Sequence, residues 1–301
     1  MSVIEATDLS KYYGKTIGIV KASFAVEEGE VWAMLGPQMS GKSTVLRLIC
    51  GLIRPTYGSY SLFNISHCFD NRQIKKHIGF APSHPCGYGE LKVRDYLLFS
   101  ARCYGIKRRG TSIEDAIDRD CYYLRLDQKQ RIENLSFSSR KKAAIIASLI
   151  HKPRLAMLDE PTLGMDSFDR EKILELMREY SNDGTTIVYT TRNVYDCREF
   201  STHTAMMSDG IFIGGGRTED IAVLRTLHVT VSADERNSEL AEELGIRNYT
   251  VSDRYISFSF TGYPDELIAI LGRYSIKTIK IDEPSTESIV ASAAASKGVA
   301  V

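Results

Sequence analysis

No stretch of this 301-residue sequence carries the roughly eighteen successive apolar residues that a membrane-crossing helix needs. The nearest candidate, Ala143–Ile150, is too short and is flanked by basic residues. The amino-terminal MSVIEATDLSKYYGK also lacks the apolar centre of a secretory signal, so the chain is expected to stay in the cytoplasm. Excess charge of one sign is missing as well: 38 Lys and Arg balance 38 Asp and Glu. A nucleic-acid partner calls for a local excess of basic side chains and is not expected, whereas a single nucleotide needs only a few donors. The six cysteines form no C-x-x-C pair. The first five recur every 17 or 18 residues, but in unrelated surroundings (LICGL, SHCFD, HPCGY, ARCYG, RDCYY), so the spacing reads as accident and the thiols as reduced.

What remains is a composition, 43% apolar and 25% charged, that supports a packed core over a length sufficient for two domains. The first thirty residues read as short β segments, with Ile17 and Ile19, then Phe24 and Val26, in alternation. A buried-strand run, Val31–Leu35, leads through GPQMSGKST into the helical pattern VLRLICGL. Residues 93–149 are mostly helical in pattern. A second buried strand, Leu155–Leu158, ends in Asp159-Glu160; a helix over Asp169–Tyr180 and a strand over Thr185–Thr190 follow. Strands alternating with helices predict a mostly parallel α/β sheet. After Gly214–Gly216 the pattern changes to β-α-β-β-α-β: Leu227, Val229 and Val231 alternate, as do Ile256, Phe258 and Phe260. Leu240 and Leu244, then Leu267, Ile268 and Leu271, mark helix faces, and Ile276, Ile279 and Ile281 a last strand. The expected organisation is a first domain over 1–225, a small α+β split-βαβ (ferredoxin-like) domain over 226–290, and a loose tail over 291–301.

Gly36-Pro37-Gln38-Met39-Ser40-Gly41-Lys42-Ser43-Thr44 satisfies G-x-x-x-x-G-K-[ST] between a strand and a helix. Backbone N–H groups of such a loop converge on phosphate oxygens at a helix N-terminus; Lys42 would reach the β- and γ-phosphates and Ser43 would place its hydroxyl on Mg²⁺. Asp159, at the end of its apolar strand, is the second Mg²⁺ ligand candidate, and Glu160 the general base for attack on the γ-phosphate. A solvated strand end is the plainer alternative for this acidic pair.

With both motifs in place, the chain resembles the ATP-binding subunits of ABC transporters of the exporter type. The resemblance implies a P-loop NTPase domain with a helical subdomain at about 88–150. Tyr13 in KYYGKT looks like the family's adenine-stacking aromatic, with a core strand tyrosine as the alternative. Leu135-Ser136-Phe137-Ser138-Ser139 stands in the place of the signature loop, so Ser136 becomes a nucleotide contact across a head-to-tail pair of ATP-binding subunits, identical or different. Pro161–Asp166 is similar to the segment linking the two nucleotide sites. A separate membrane permease, resting near Pro82–Tyr96, would hold the chain at the cytoplasmic face of the membrane. ATP and Mg²⁺ are the implied cofactors.

Four departures fall on functional positions. Met39 replaces a glycine, Ser83 a glutamine, Phe137 and Ser138 two signature glycines, and Arg192 a histidine. Ser83 reads as a plain loop hydroxyl. Arg192 either faces solvent or offsets charge developing on the γ-phosphate, but it cannot exchange a proton as histidine does. Losing one donor that acts mainly in the transition state lowers a rate roughly 10²–10³-fold. Two functions therefore stand side by side: a slow ATPase powering an exporter, and an ATP-binding regulatory or structural subunit with negligible turnover.

Overall fold

The computed structural model describes residues 1–66, 71–106, 111–221, 226–232, 249–252, 255–262, 264–273, 276–282 and 285–296. It divides into two compact units, Met1–Gly216 and Arg217–Val301. The glycine run at 214–216 is part of a strand, Ile211–Arg217, and the division lies at its end rather than at 225/226.

The first unit is built on ten strands: β1 (Ser2–Tyr13), β2 (Thr16–Glu27), β3 (Val31–Leu35), β4 (Tyr57–Leu62), β5 (Ile65–Ser66), β6 (Ile78–Ala81), β7 (Leu155–Leu158), β8 (Thr186–Thr191), β9 (His203–Ser208) and β10 (Ile211–Arg217). They form one sheet in the order β5-β4-β1-β2-β10-β9-β3-β8-β7-β6. β1 and β2, expected as short pieces, are twelve-residue strands. Their alternation is broken by register shifts, with Asp8 and Lys21 at positive φ, so the sequence period lapses where the strand continues.

β9, β3, β8, β7 and β6 run parallel to one another. β3, β7 and β8 are buried at every residue, which explains their unbroken apolar and threonine runs. Leu35 lies beside Thr191, Tyr189 beside Leu158, and Leu158 beside Ala81. The loops leaving these strands therefore emerge along one edge of the sheet, where open α/β sheets place ligands.

Seven helices complete the described part of this unit: α1 (Lys42–Ile49), α2 (Arg72–Lys75), α3 (Val93–Cys103), α4 (Thr111–Tyr123), α5 (Phe137–Leu149), α6 (Ser167–Asn182) and α7 (Val194–Phe200). α1 buries Val45, Leu46, Leu48 and Ile49 in a core with Ile4, Ile19 and Met34. α5 is buried at every position from Lys141 to Leu149, which accounts for its continuous apolar run. α6 starts at Ser167, two residues before the expected Asp169, because the Asp166 carboxylate caps it, accepting from the Asp169 amide at 2.8 Å.

In the second unit, β11 (Thr226–Ser232), β12 (Tyr249–Ser252), β13 (Tyr255–Thr261) and β14 (Ile279–Asp282) form an antiparallel sheet in the order β12-β13-β11-β14. Val229, Val231, Ile256 and Phe258 build its core with Leu267 and Leu271 of helix Pro264–Leu271, while Ile268 faces outward. The helix expected around Leu240 and Leu244 lies outside the described residues. The tail departs from expectation: a helix spans Thr286–Ser296 and buries Ile289, Val290, Ala293 and Ala294. Ser285 Oγ accepts from the Ser288 amide, and the alanines that read as low complexity are strong helix formers.

Candidate nucleotide site

The sharp turn from β3 into α1 depends on two glycines. A Cβ on Gly36 would lie 2.2 Å from the Met207 carbonyl oxygen; one on Gly41, at φ 95°, would lie 2.4 Å from that of Gly18. Lys42, almost fully buried, folds back across the loop. Its Nζ donates to the carbonyls of Gly36 (2.7 Å) and Pro37 (2.5 Å) and to Ser40 Oγ (3.0 Å). Met39 stands at the loop's outer rim, 90% exposed and at φ 65°.

At the end of β7, Asp159 is buried. Its Oδ1 accepts from Ser43 Oγ (2.8 Å) and Thr190 Oγ1 (2.7 Å), while its buried Oδ2 has no hydrogen-bond partner among the described residues. A buried carboxylate oxygen left without a donor is costly unless something fills the position. An oxygen-seeking cation fits this place beside the Ser43 hydroxyl. Thr190 Oγ1 also accepts from the Glu160 amide at 2.8 Å, so one threonine of β8 fixes both acidic residues. Glu160 sits at φ 45°, and its Oε1 pairs with Arg192 Nε at 3.2 Å.

A cleft of about 610 Å³ brings together Tyr13, the loop from Gln38 to Thr44, Ser83, Glu160 and Arg192. Gly36 and Pro37 lie beneath it as the acceptors for Lys42, and Asp159 lies behind Ser43. The Tyr13 ring, 45% exposed, lies against Gly18, where a Cβ would come within 2.8 Å of it. Ser136 is not part of this cleft. It caps α5, accepting from the Ser139 amide at 3.1 Å, and remains exposed.

Sequence reasoning missed two contributors, Thr190 and Lys141, and the packing of Phe137, which it had placed in the signature loop. Thr190 was hidden in an ordinary strand run. Phe137 lays its ring against Gly164 and 5.5 Å from His84. Lys141, inside the run Arg140-Lys141-Lys142, is 1% exposed and donates to the carbonyls of Ser83 (2.9 Å) and Asp159 (3.0 Å). Burial pushes its ammonium down to about 8, against the opposing pull of Asp159 and Glu160. The unbroken run Ala143–Ile150 directly after these basic residues was the available signal, since a helix segment without a polar face is buried and leaves an adjoining lysine little exposed surface.

A glycine loop at a helix N-terminus, its lysine, and a strand-end aspartate hydrogen-bonded to the loop serine define a P-loop NTPase. The ABC transporter family matches residues 19–163. Nod factor export ATP-binding protein I of Rhizobium etli is 30% identical over 223 residues, 73% of this chain and 70% of that protein. The probable multidrug ABC transporter ATP-binding protein YbhF of Escherichia coli is 28% identical over 220 residues; the match spans 38% of that longer protein. A solved ATP-binding subunit of an ABC transporter superposes with a TM-score of 0.67 at 25% identity, covering 73% of this chain and 91% of that one. The chain belongs to the ATP-binding proteins of the ABC transporter family, nucleotide-binding cassettes that hydrolyse ATP.

Proposed function

We propose that this chain is the ATP-hydrolysing subunit of an exporter, working with a separate membrane permease and a second ATP-binding subunit, and that its turnover is slow. The observation that carries the residue roles is the buried, half-satisfied Asp159 carboxylate beside Ser43 and next to Glu160. In this reading the amides of residues 38–44 and Lys42 hold the phosphates, and Tyr13 stacks on the adenine. A magnesium ion held by Ser43 and Asp159 would neutralise charge on the β- and γ-phosphates. Glu160 takes the proton of the attacking water, and Arg192, which lines the same cleft, offsets charge on the γ-phosphate. Ser136, outside its own chain's cleft, serves the nucleotide of the partner subunit. No described helix is long and apolar enough to cross a membrane. In this reading the permease is a separate chain, and the resemblance to ATP-binding subunits of transporters supports a position for this one at the cytoplasmic face.

The Arg192–Glu160 pair favours one alternative, a regulatory subunit that binds ATP with negligible turnover, because a carboxylate oxygen engaged by a guanidinium is not free to meet an attacking water. Steady-state phosphate release by the purified chain, with its permease, separates the two. Turnover that disappears in Glu160→Gln, with ATP binding abolished in Lys42→Ala, is the expected result. Tight ATP binding without phosphate release would overturn the ATPase reading and support the regulatory one.

A further inference from the structure

We propose that Lys141 is a positioning residue for this site, setting the metal-binding end of β7 and the loop after β6 through two backbone carbonyls. Its ammonium is buried with no carboxylate inside ion-pairing distance among the described residues; its two acceptors are the carbonyl oxygens of Ser83 and Asp159. Burying an ammonium without a counter-ion costs several kcal/mol, and a methionine of similar length would fill the space without that penalty. What a methionine cannot do is donate.

The position of Asp159 shows why donation matters. Its Oδ1 is committed to Ser43 and Thr190, so the direction of the unpartnered Oδ2 follows from where the backbone is held, and Lys141 holds it at the carbonyl. Ser83 lines the same cleft, and the same ammonium fixes its carbonyl. Phe137, four residues earlier on α5, adds a second contact through His84 and Gly164. The start of α5 thus grips the segments before and after the acidic pair. Lys141 acts on phosphate and metal only through Asp159 and the Ser83 loop, as outer-shell partners of ligands do.

The inference rests on the ATP-binding site proposed above, and its test is separable from turnover. ATP affinity is measured with Mg²⁺ and with EDTA, alongside melting temperature and kcat, in the wild type, Lys141→Met and Lys141→Gln. Lys141→Met is expected to lose about tenfold or more of the affinity gained with Mg²⁺, and about tenfold in kcat, while affinity in EDTA is unchanged. Lys141→Gln returns an N–H donor without the charge and is expected to recover the Mg²⁺-dependent gain to within about threefold. An unchanged Mg²⁺-dependent gain in Lys141→Met overturns the proposal. So does a loss shared equally by EDTA affinity and melting temperature that Gln fails to restore, because that marks a purely structural role. A wild type without turnover removes the ATPase reading, but the Mg²⁺-dependent binding still decides for or against Lys141.

Discussion

Met39 adopts φ 65° at the rim of the phosphate loop and buries almost nothing, so its side chain offers little to offset an unfavourable backbone. A non-glycine residue in the left-handed region costs roughly 1–2 kcal/mol, whereas glycine gives back about 0.5–1 kcal/mol through its freedom in the unfolded chain. Met39→Gly is therefore expected to stabilise the chain by up to about 1 kcal/mol, seen as a higher urea midpoint at unchanged slope. A lower midpoint would mean the methionine makes contacts that its exposure does not suggest. At Arg192 the effect is on rate. If its guanidinium leaves Glu160 for the γ-phosphate, Arg192→Gln should slow phosphate release about 10²-fold, and Arg192→Lys, lacking the planar fork, should recover little. Faster release in Arg192→Gln would instead identify the arginine as a brake on Glu160. These residues were legible in the sequence because they sit in or beside motifs of fixed spacing. The Arg192–Glu160 contact was not, since it joins the ends of β7 and β8, and no spacing along the chain reports which strands are neighbours.

The helices of the α3–α5 region were readable as a class, but their buried polar residues were not. His151, just past α5, stacks on Tyr104 with ring centroids 3.6 Å apart, and neither ring nitrogen has a hydrogen-bond partner among the described residues. Burial pushes its pKa down from 6.5 to about 4. The folded imidazole resists protonation that the unfolded chain accepts, so the unfolded state binds more protons between these values. Stability is held above about pH 6.5 and is lost as the pH falls toward about 4, by at most about 3 kcal/mol. His151→Phe keeps the stack and removes the proton site. Its unfolding free energy should fall less between pH 7 and pH 4.5 than that of the wild type, and parallel profiles would refute the assignment. Gly164 poses a second test of element packing. It sits at φ 73° with the Phe137 ring 2.9 Å from where a Cβ would go, so Gly164→Ala meets both backbone strain and a clash. A destabilisation of roughly 1–3 kcal/mol is expected, with Phe137→Leu relieving only the part due to the ring. Full additivity of the two substitutions in denaturant melts would show that ring and loop do not interact.

Across the whole molecule, the alternation of strands and helices was enough to anticipate the parallel part of the sheet, β9-β3-β8-β7-β6, but not the antiparallel pairing of β1 with β2 and β4. Long β1 and β2, the glycines inside β10 and the helix at Thr286–Ser296 were harder to read. Bulges break the period of two, glycine reads as a linker, and an alanine-rich run reads as low complexity although Ser285 starts a helix there. The two units have separate cores: Ile4, Met34 and Leu46 belong to the first, Val229, Phe258 and Leu267 to the second. A small unit of this kind has little stability to spare, because surface dominates at that size. Phe258 is almost wholly buried on β13, and Phe258→Ala should cost roughly 3–5 kcal/mol, comparable to the whole stability of a small domain. Amide exchange should then lose protection along Thr226–Ser232 and Tyr255–Thr261 while β3, β7 and β8 keep theirs. ATP affinity should also persist, because every residue assigned to the nucleotide lies before Gly216. Loss of protection in β3, β7 and β8, or a fall in ATP affinity with it, would mean that the two cores unfold as one and that the second unit supports the nucleotide site.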